Sequence, residues 1–289
     1  MLDQLGRYAN HLAPYTELRL HNNFMTNVSM VGGTLMTNMA NQSGGVSARN
    51  YRDGAFGFAS LSSLSDDAIP QVIDRAIANA DLLQRTAGRS DGELPDSGAG
   101  QGIYDYRSDR VAMTSKEQVD IVRAIDAYLR SAYPDIVNID VSLSALSIEK
   151  GLVTSTGAST YSYIPRCIVY VDLSYEASDG IVEIYDAFGG FGEAQDQLTD
   201  VESFYPKLDV LYRELRDKAD GVFCEPGEHD VVLDSGVAGI LAHEAIGHTC
   251  EADIVLGGSI AADRVGQLVA SEKVTLTDFA GRGPDGNGG

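Results

Sequence analysis

Within the first ninety residues, apolar side chains alternate with polar ones in short runs, and the apolar spacing then lengthens to three and four. The alternation predicts extended segments at 16–21, 25–31, 34–38, 46–51 and 55–59. Gly32-Gly33 and Asp53-Gly54 have the composition of tight hairpin turns. Ile69, Val72, Ile73, Ala76, Ile77, Ala80 and Leu83 then mark one stripe of a helix, with Ser65 or Asp67 as its cap and Pro70 early enough to be tolerated.

From 86 to 113 the apolar period disappears into Gly, Ser, Asp and Arg, which predicts a linker or long surface loop. A second helix is expected from Ser115, with Gln118 completing a capping box, and it ends before Pro134. Alternation resumes at Val137, Ile139, Val141, Leu143 and Ala145, and again at Cys167, Val169, Val171 and Leu173. A turn at Asp179-Gly180 and a return strand at 181–185 complete a second sheet. A third helical stretch at 201–219 and a short strand at 230–233 follow. The expected class is therefore α+β, with antiparallel sheets and packed helices in two N-terminal units. Its expected divisions are 1–88, a linker at 89–114, a middle unit at 115–222, and the start of a metal-site domain at 223–289.

Charge narrows the possible partners. With 42 acidic against 21 basic residues the formal net charge is −21, so the surface repels polyphosphate, and nucleic acid is an unsuitable ligand. No apolar run reaches the roughly 20 residues of a membrane-spanning helix. The start at Met1-Leu2-Asp3 lacks a basic, then apolar, secretory signal, so the expected location is the cytoplasm. Cys167, Cys224 and Cys250 are odd in number and widely spaced, which fits neither a disulfide framework nor a closed structural zinc site.

The chemistry is concentrated in residues 234–253. His243 and His248 are two of only five histidines, and Glu244 follows the first directly. Asp234 or Ser235 can cap a helix there, with Val237, Ile240 and Leu241 expected to face a core. Paired histidines one helical turn apart are the usual way to present two imidazoles to zinc, as in H-E-x-x-H. Here the separation is five, and at about 100° per residue a regular helix would turn the two rings about 140° apart. A π turn, with Gly247 absorbing the extra residue, would restore a shared face. Glu244 would then stand beside the metal as a general base for an attacking water. Taken singly, each histidine is more often an ordinary core or surface residue, and it is the H-E-x-x-x-H pattern that points to a metal. Cys250, Glu251 and Asp253 are open between supporting the imidazoles, substituting as a ligand, and having no part in the site.

Residues 45–59, the Ser155-Thr156-Gly157 turn, Gly189-Gly190, and residues 232–248 and 270–278 together resemble the TldD/PmbA family of zinc peptidases, in its metal-bearing TldD-like branch. The resemblance implies His243 and His248 as ligands of Zn2+ and Glu244 as the catalytic carboxylate. It also implies a dimer with a PmbA/TldE-like subunit or a second copy, enclosing a chamber that admits unfolded peptides. Maturation of ribosomally made peptides and degradation of small proteins are the activities it suggests. Relatives carry a third ligand, a cysteine, in a later region, so the sequence is expected to be a truncated form. Two alternatives stand beside the peptidase: a non-catalytic assembly subunit with an incomplete metal site, and a scaffold that docks peptide strands by edge pairing.

Overall fold

The computed structural model describes residues 1–87 and 99–277. Its chain divides into two compact units, 1–221 and 222–289.

The first unit is built on one sheet of seven strands: β1 (Thr16–Val31), β2 (Thr34–Arg52), β3 (Ala55–Leu61), β4 (Gln101–Asp105), β5 (Asn138–Thr154), β6 (Ser159–Ala177) and β7 (Gly180–Phe191). The order is β3-β2-β1-β5-β6-β4, and β7 also pairs with β6. All pairs are antiparallel except β4 with β6. Segments expected as separate short strands merge: 16–21 with 25–31 into β1, and 34–38 with 46–51 into β2. The polar residues between them, such as Asn22 and Asn23, hold their place through ladder bonds on both sides of β1. Both expected hairpin turns form, with positive φ at Gly32 and Gly33 and at Asp53 and Gly54, the backbone sense that suits a two-residue hairpin.

Strands from both sides of the 89–114 segment share this sheet, because β1 pairs with β5 from Glu17↔Thr154 to Val31↔Asp140. That segment also contains β4, where a linker or loop was expected. Ile103 in β4 is 73% exposed, so the strand is held by its parallel ladder on β6 rather than by buried side chains, and no apolar period betrays it.

Helices pack on one sheet face in two groups. α1 (Leu2–Ala9) and α2 (Ala68–Ala87) cover a core containing Leu5, Leu18, Leu20, Val46, Ile69 and Val72. α2 can lie this close because Gly57 faces it: a Cβ there would stand 2.0 Å from the Ala76 carbonyl oxygen. α3 (Ser115–Ala132) and α5 (Tyr205–Ala219) cover a second core, with Val28, Ile125, Leu129, Val169 and Leu211 among its members. Each such buried aliphatic side chain contributes about 1.5–3 kcal/mol.

The start of α3 differs from expectation by one residue. Thr114 is the cap, accepting from the Glu117 amide at 3.3 Å, while Glu117 accepts from the Thr114 amide at 2.7 Å. Ser115 and Gln118 are not the capping pair. Gln118 instead turns inward and is only 5% exposed.

The second unit contains α6 (Ser235–Ala242), a π turn (His243–Gly247), a short 3-10 turn (His248–Cys250) and α7 (Ala252–Leu256). Neither 230–233 nor the described residues 270–277 of the segment 270–278, expected from the family resemblance as a strand, forms one; residue 278 lies outside the described residues, and no neighbouring strand lies within the described part of this unit. Val237, Ile240 and Leu241 are 51%, 63% and 55% exposed, so the core they were expected to face is not formed among the described residues.

Candidate metal centre

Asp234, rather than Ser235, caps α6, accepting from the Val237 amide at 2.8 Å. The helix runs two turns and then widens. The His248 amide donates to the His243 carbonyl, five residues back, and this bond defines a π turn. One extra residue in the turn brings position i+5 above position i. The imidazoles of His243 and His248 therefore face each other with centroids 4.4 Å apart and planes at 65°.

Gly247 does not absorb this distortion in the manner expected. Its φ of −53° and ψ of −60° are right-handed helical values open to any residue. An added Cβ would meet the His243 Nδ1 atom at 3.7 Å, an ordinary contact. The widening is thus carried by the whole turn, not by a special conformation at glycine.

Glu244 joins the two imidazoles. One donor atom from each of His243, Glu244 and His248 lies within 4.8 Å of the others. Tetrahedral zinc with bonds of about 2.0–2.1 Å separates neighbouring ligand atoms by about 3.4 Å, so rotation of exposed side chains has a little over an ångström to close. All three residues are exposed. Two neutral nitrogens and one carboxylate oxygen form a donor set suited to zinc and to similar divalent cations.

Glu251 accepts at 2.6 Å from Nδ1 of His248, with the ring tautomer set by this bond. Carrying its proton on Nδ1, the neutral ring leaves the Nε2 lone pair for a cation. Glu244 Oε2 lies 3.7 Å from that Nε2. The Glu251 hydrogen bond, more than the charge of Glu244, raises the His248 pKa above its ordinary value. Of the other two residues weighed as supports or substitute ligands, Cys250 is an exposed free thiol outside the cluster. Asp253 accepts from the Ile254 amide at 3.0 Å in the first turn of α7. Among the described residues the geometry adds no ligand beyond those named from sequence.

Three family profiles match in succession: PmbA/TldA metallopeptidase domain 1 over residues 16–80, the central domain over 110–220, and the C-terminal domain over 226–287. The chain belongs to the PmbA/TldD family. A metalloprotease of Methanocaldococcus jannaschii is 26% identical over 276 residues, covering 92% of this chain and 58% of the relative. A TldD homologue of Buchnera aphidicola, also named a metalloprotease, is 26% identical over 247 residues, covering 81% of this chain and 49% of its own. The chain thus spans little more than half the length of the first of these relatives and about half of the second.

In fold, it is similar to TldE of Thermococcus kodakarensis, with a TM-score of 0.54 at 13% identity over 74% of this chain and 47% of that one. A protein of Bacteroides thetaiotaomicron described as a modulator of DNA gyrase gives 0.63 at 13% identity, over 93% and 61%. PmbA/TldD membership supports a peptidase-type function and implies a metal ion, and the His243, Glu244 and His248 cluster is the candidate to hold it. No described helix is long and apolar enough to cross a membrane.

Proposed function

We propose that this chain is the metal-bearing part of a zinc-dependent, TldD-like peptidase of the cytoplasm, acting on unfolded peptides or small proteins or maturing ribosomally made peptides. The observation that carries the proposal is the π turn, which places His243 and His248 on one face despite their five-residue separation. His243 and His248 would hold the ion through ring nitrogens, and Glu251 would fix the tautomer of His248. A bound zinc ion supplies Lewis acidity toward a carbonyl and acidifies water.

Glu244 acts as the general base in this reading. It takes a proton from the attacking water and returns it to the leaving amine. Its exposure suits that role, because the carboxylate is open to a substrate water. A catalytic zinc normally has three protein ligands. With Glu244 assigned as base, the third ligand comes from outside the described residues, and the working enzyme is a dimer with a PmbA/TldE-like subunit or a second copy.

A second reading is favoured by the size of the cluster: with two imidazoles and one carboxylate among the described residues, the chain would be an assembly subunit that pairs without catalysing. Zinc titration by calorimetry, together with hydrolysis of an unfolded casein, separates the two. The peptidase reading expects zinc uptake that His243→Ala abolishes, and hydrolysis lost in Glu244→Ala with folding retained. Unchanged hydrolysis in Glu244→Ala refutes the mechanism, and absence of both zinc uptake and hydrolysis in a chain that still pairs with its partner subunit favours the assembly reading.

A further inference from the structure

The two cores of the first unit lie on the same face of β1. Leu18 and Leu20 enter one core, and Val28 and Met30 the other, all at even positions. Phe24 and Thr26 point the same way between them but belong to neither core. Strand register fixes what lies beside them. Thr26 pairs with Ala40 on β2 and Ala145 on β5, and Phe24 with Gln42 and Ser147. Because Ala40 and Ala145 are small, the sheet surface is low on both sides of Thr26. The result is a cleft of about 440 Å³, walled by Met113 just before α3, by Gln118 in its first turn and by Ala194 from α4 (Ala194–Gln197). That volume falls among those of small-ligand sites, about 300–1,000 Å³.

Two polar groups in this cleft lack partners. The Thr26 hydroxyl oxygen is buried and makes no hydrogen bond. Gln118, a residue 5% exposed, lines the cleft, and no hydrogen bond of its side-chain amide is seen among the described residues; unlike the Thr26 hydroxyl, that amide is not a fully buried unpaired group. Leaving a buried polar group such as the Thr26 hydroxyl unpaired costs about 1–3 kcal/mol. Groups in that state, lining an open cleft, are suited to a ligand that completes them.

The lining also selects the ligand's chemistry. A carboxamide offers donor and acceptor side by side, the complement of a peptide unit's carbonyl and N–H. The hydroxyl adds one more of either kind. Phe24, Met25, Met113 and the alanines supply apolar surface for an aliphatic side chain. Charge gives no net preference: Glu193 and Arg166 border the cleft, one of each sign. Glu193 is already engaged by the Tyr163 hydroxyl at 3.1 Å and by the Gln195 amide.

We infer that this cleft binds a short, uncharged stretch of extended peptide carrying an aliphatic side chain, with Gln118 and Thr26 bonding its backbone. The site is independent of the metal-centre reading, since neither His243, His248 nor an ion takes part.

The test uses the 289-residue chain in EDTA, with N-acetyl-Ala-Leu-Ala-amide as probe, followed by calorimetry and by saturation-transfer NMR. Saturable binding is expected, weakened at least about tenfold by Gln118→Met and by Thr26→Val, the loss of one to two neutral hydrogen bonds. Ala145→Leu, which fills the floor of the cleft, should abolish it, while Glu244→Gln should bind like wild type. Melting temperatures provide the fold control. Removing unpaired polar atoms in Gln118→Met and Thr26→Val should leave stability unchanged or raise it. Failure of the probe to saturate at millimolar concentration, wild-type affinity in the three cleft variants, or loss of binding in Glu244→Gln would each overturn the inference. So would a marked fall in melting temperature in both polar-group variants, because it would mean those groups are already bonded internally.

Discussion

Glu251 Oε1 lies 2.6 Å from Nδ1 of His248, while the ring's other nitrogen faces Glu244. The carboxylate thereby sets both the orientation of the imidazole and its proton affinity. The raised pKa of His248 means that protons compete with a cation for this ring at higher pH than they would for an ordinary histidine. Zinc uptake should therefore decline as pH falls through the His248 pKa. In Glu251→Gln an NMR titration should place that pKa lower, and zinc affinity at neutral pH should fall about 10- to 100-fold because the ring loses its support. An unshifted titration would remove Glu251 from this role.

Gly247 gives a contrasting expectation. Its helical dihedrals, and the 3.7 Å that would separate an added methyl from His243, allow alanine without strain. Gly247→Ala should keep zinc affinity within about threefold, and helical signal in circular dichroism should be unchanged or slightly higher, given alanine's advantage of about 1 kcal/mol inside helices. Loss of zinc binding in this variant would mean that the turn depends on glycine after all.

At Gly57 the opposite holds, because backbone stands where a side chain would go. A methyl there meets the Ala76 carbonyl at 2.0 Å and the Ala80 amide nitrogen at 2.2 Å. Gly57→Ala must push α2 away from β3, at a cost of about 1–3 kcal/mol. Thermal unfolding followed by circular dichroism should show a clear drop in midpoint.

Asp209 on α5 accepts from the hydroxyls of Tyr128 and Tyr133, both at 2.6 Å, and so ties α5 to α3 and the residue that ends it. These bonds hold its carboxyl below the ordinary aspartate range. A depressed folded-state pKa contributes stability above the unfolded value of about 4 and loses it as pH falls through the folded value. Asp209→Asn should accordingly lower stability near neutrality by about 1–2 kcal/mol. The gap from wild type should narrow in acid below about pH 4. A gap independent of pH would show that the aspartate charge is not involved.

Much of this was legible in sequence where a pattern leads directly to a local rule. Gly32-Gly33 and Asp53-Gly54 specify their turns alone, and alternation at 139–143 and 167–173 marks the buried faces of β5 and β6. The five-residue histidine spacing announced its π turn, because a shared face has few other backbone solutions. Three features could not be read. β4 is held by backbone pairing with a strand more than fifty residues later, which leaves no side-chain signature. Thr114 and Ser115 are both good caps, and only the register of α3 on the sheet decides between them, sending Gln118 inward. The long strands looked interrupted because Asn22, Thr26 and their neighbours lie between two cores, where polar residues are tolerated.

The pairing of β1 with β5 also bears on synthesis. More than a hundred residues separate Val31 from Asn138. At ribosomal rates of about 5–20 residues per second, the outer edge of β1 waits on the order of 5–20 s for its partner to be made. During that interval β1, β2, β3 and α2 can assemble as a nascent piece with one unsatisfied border, the kind of surface that recruits stray strands. Chaperone dependence of yield should then be set by this early hairpin rather than by the histidine-bearing helix.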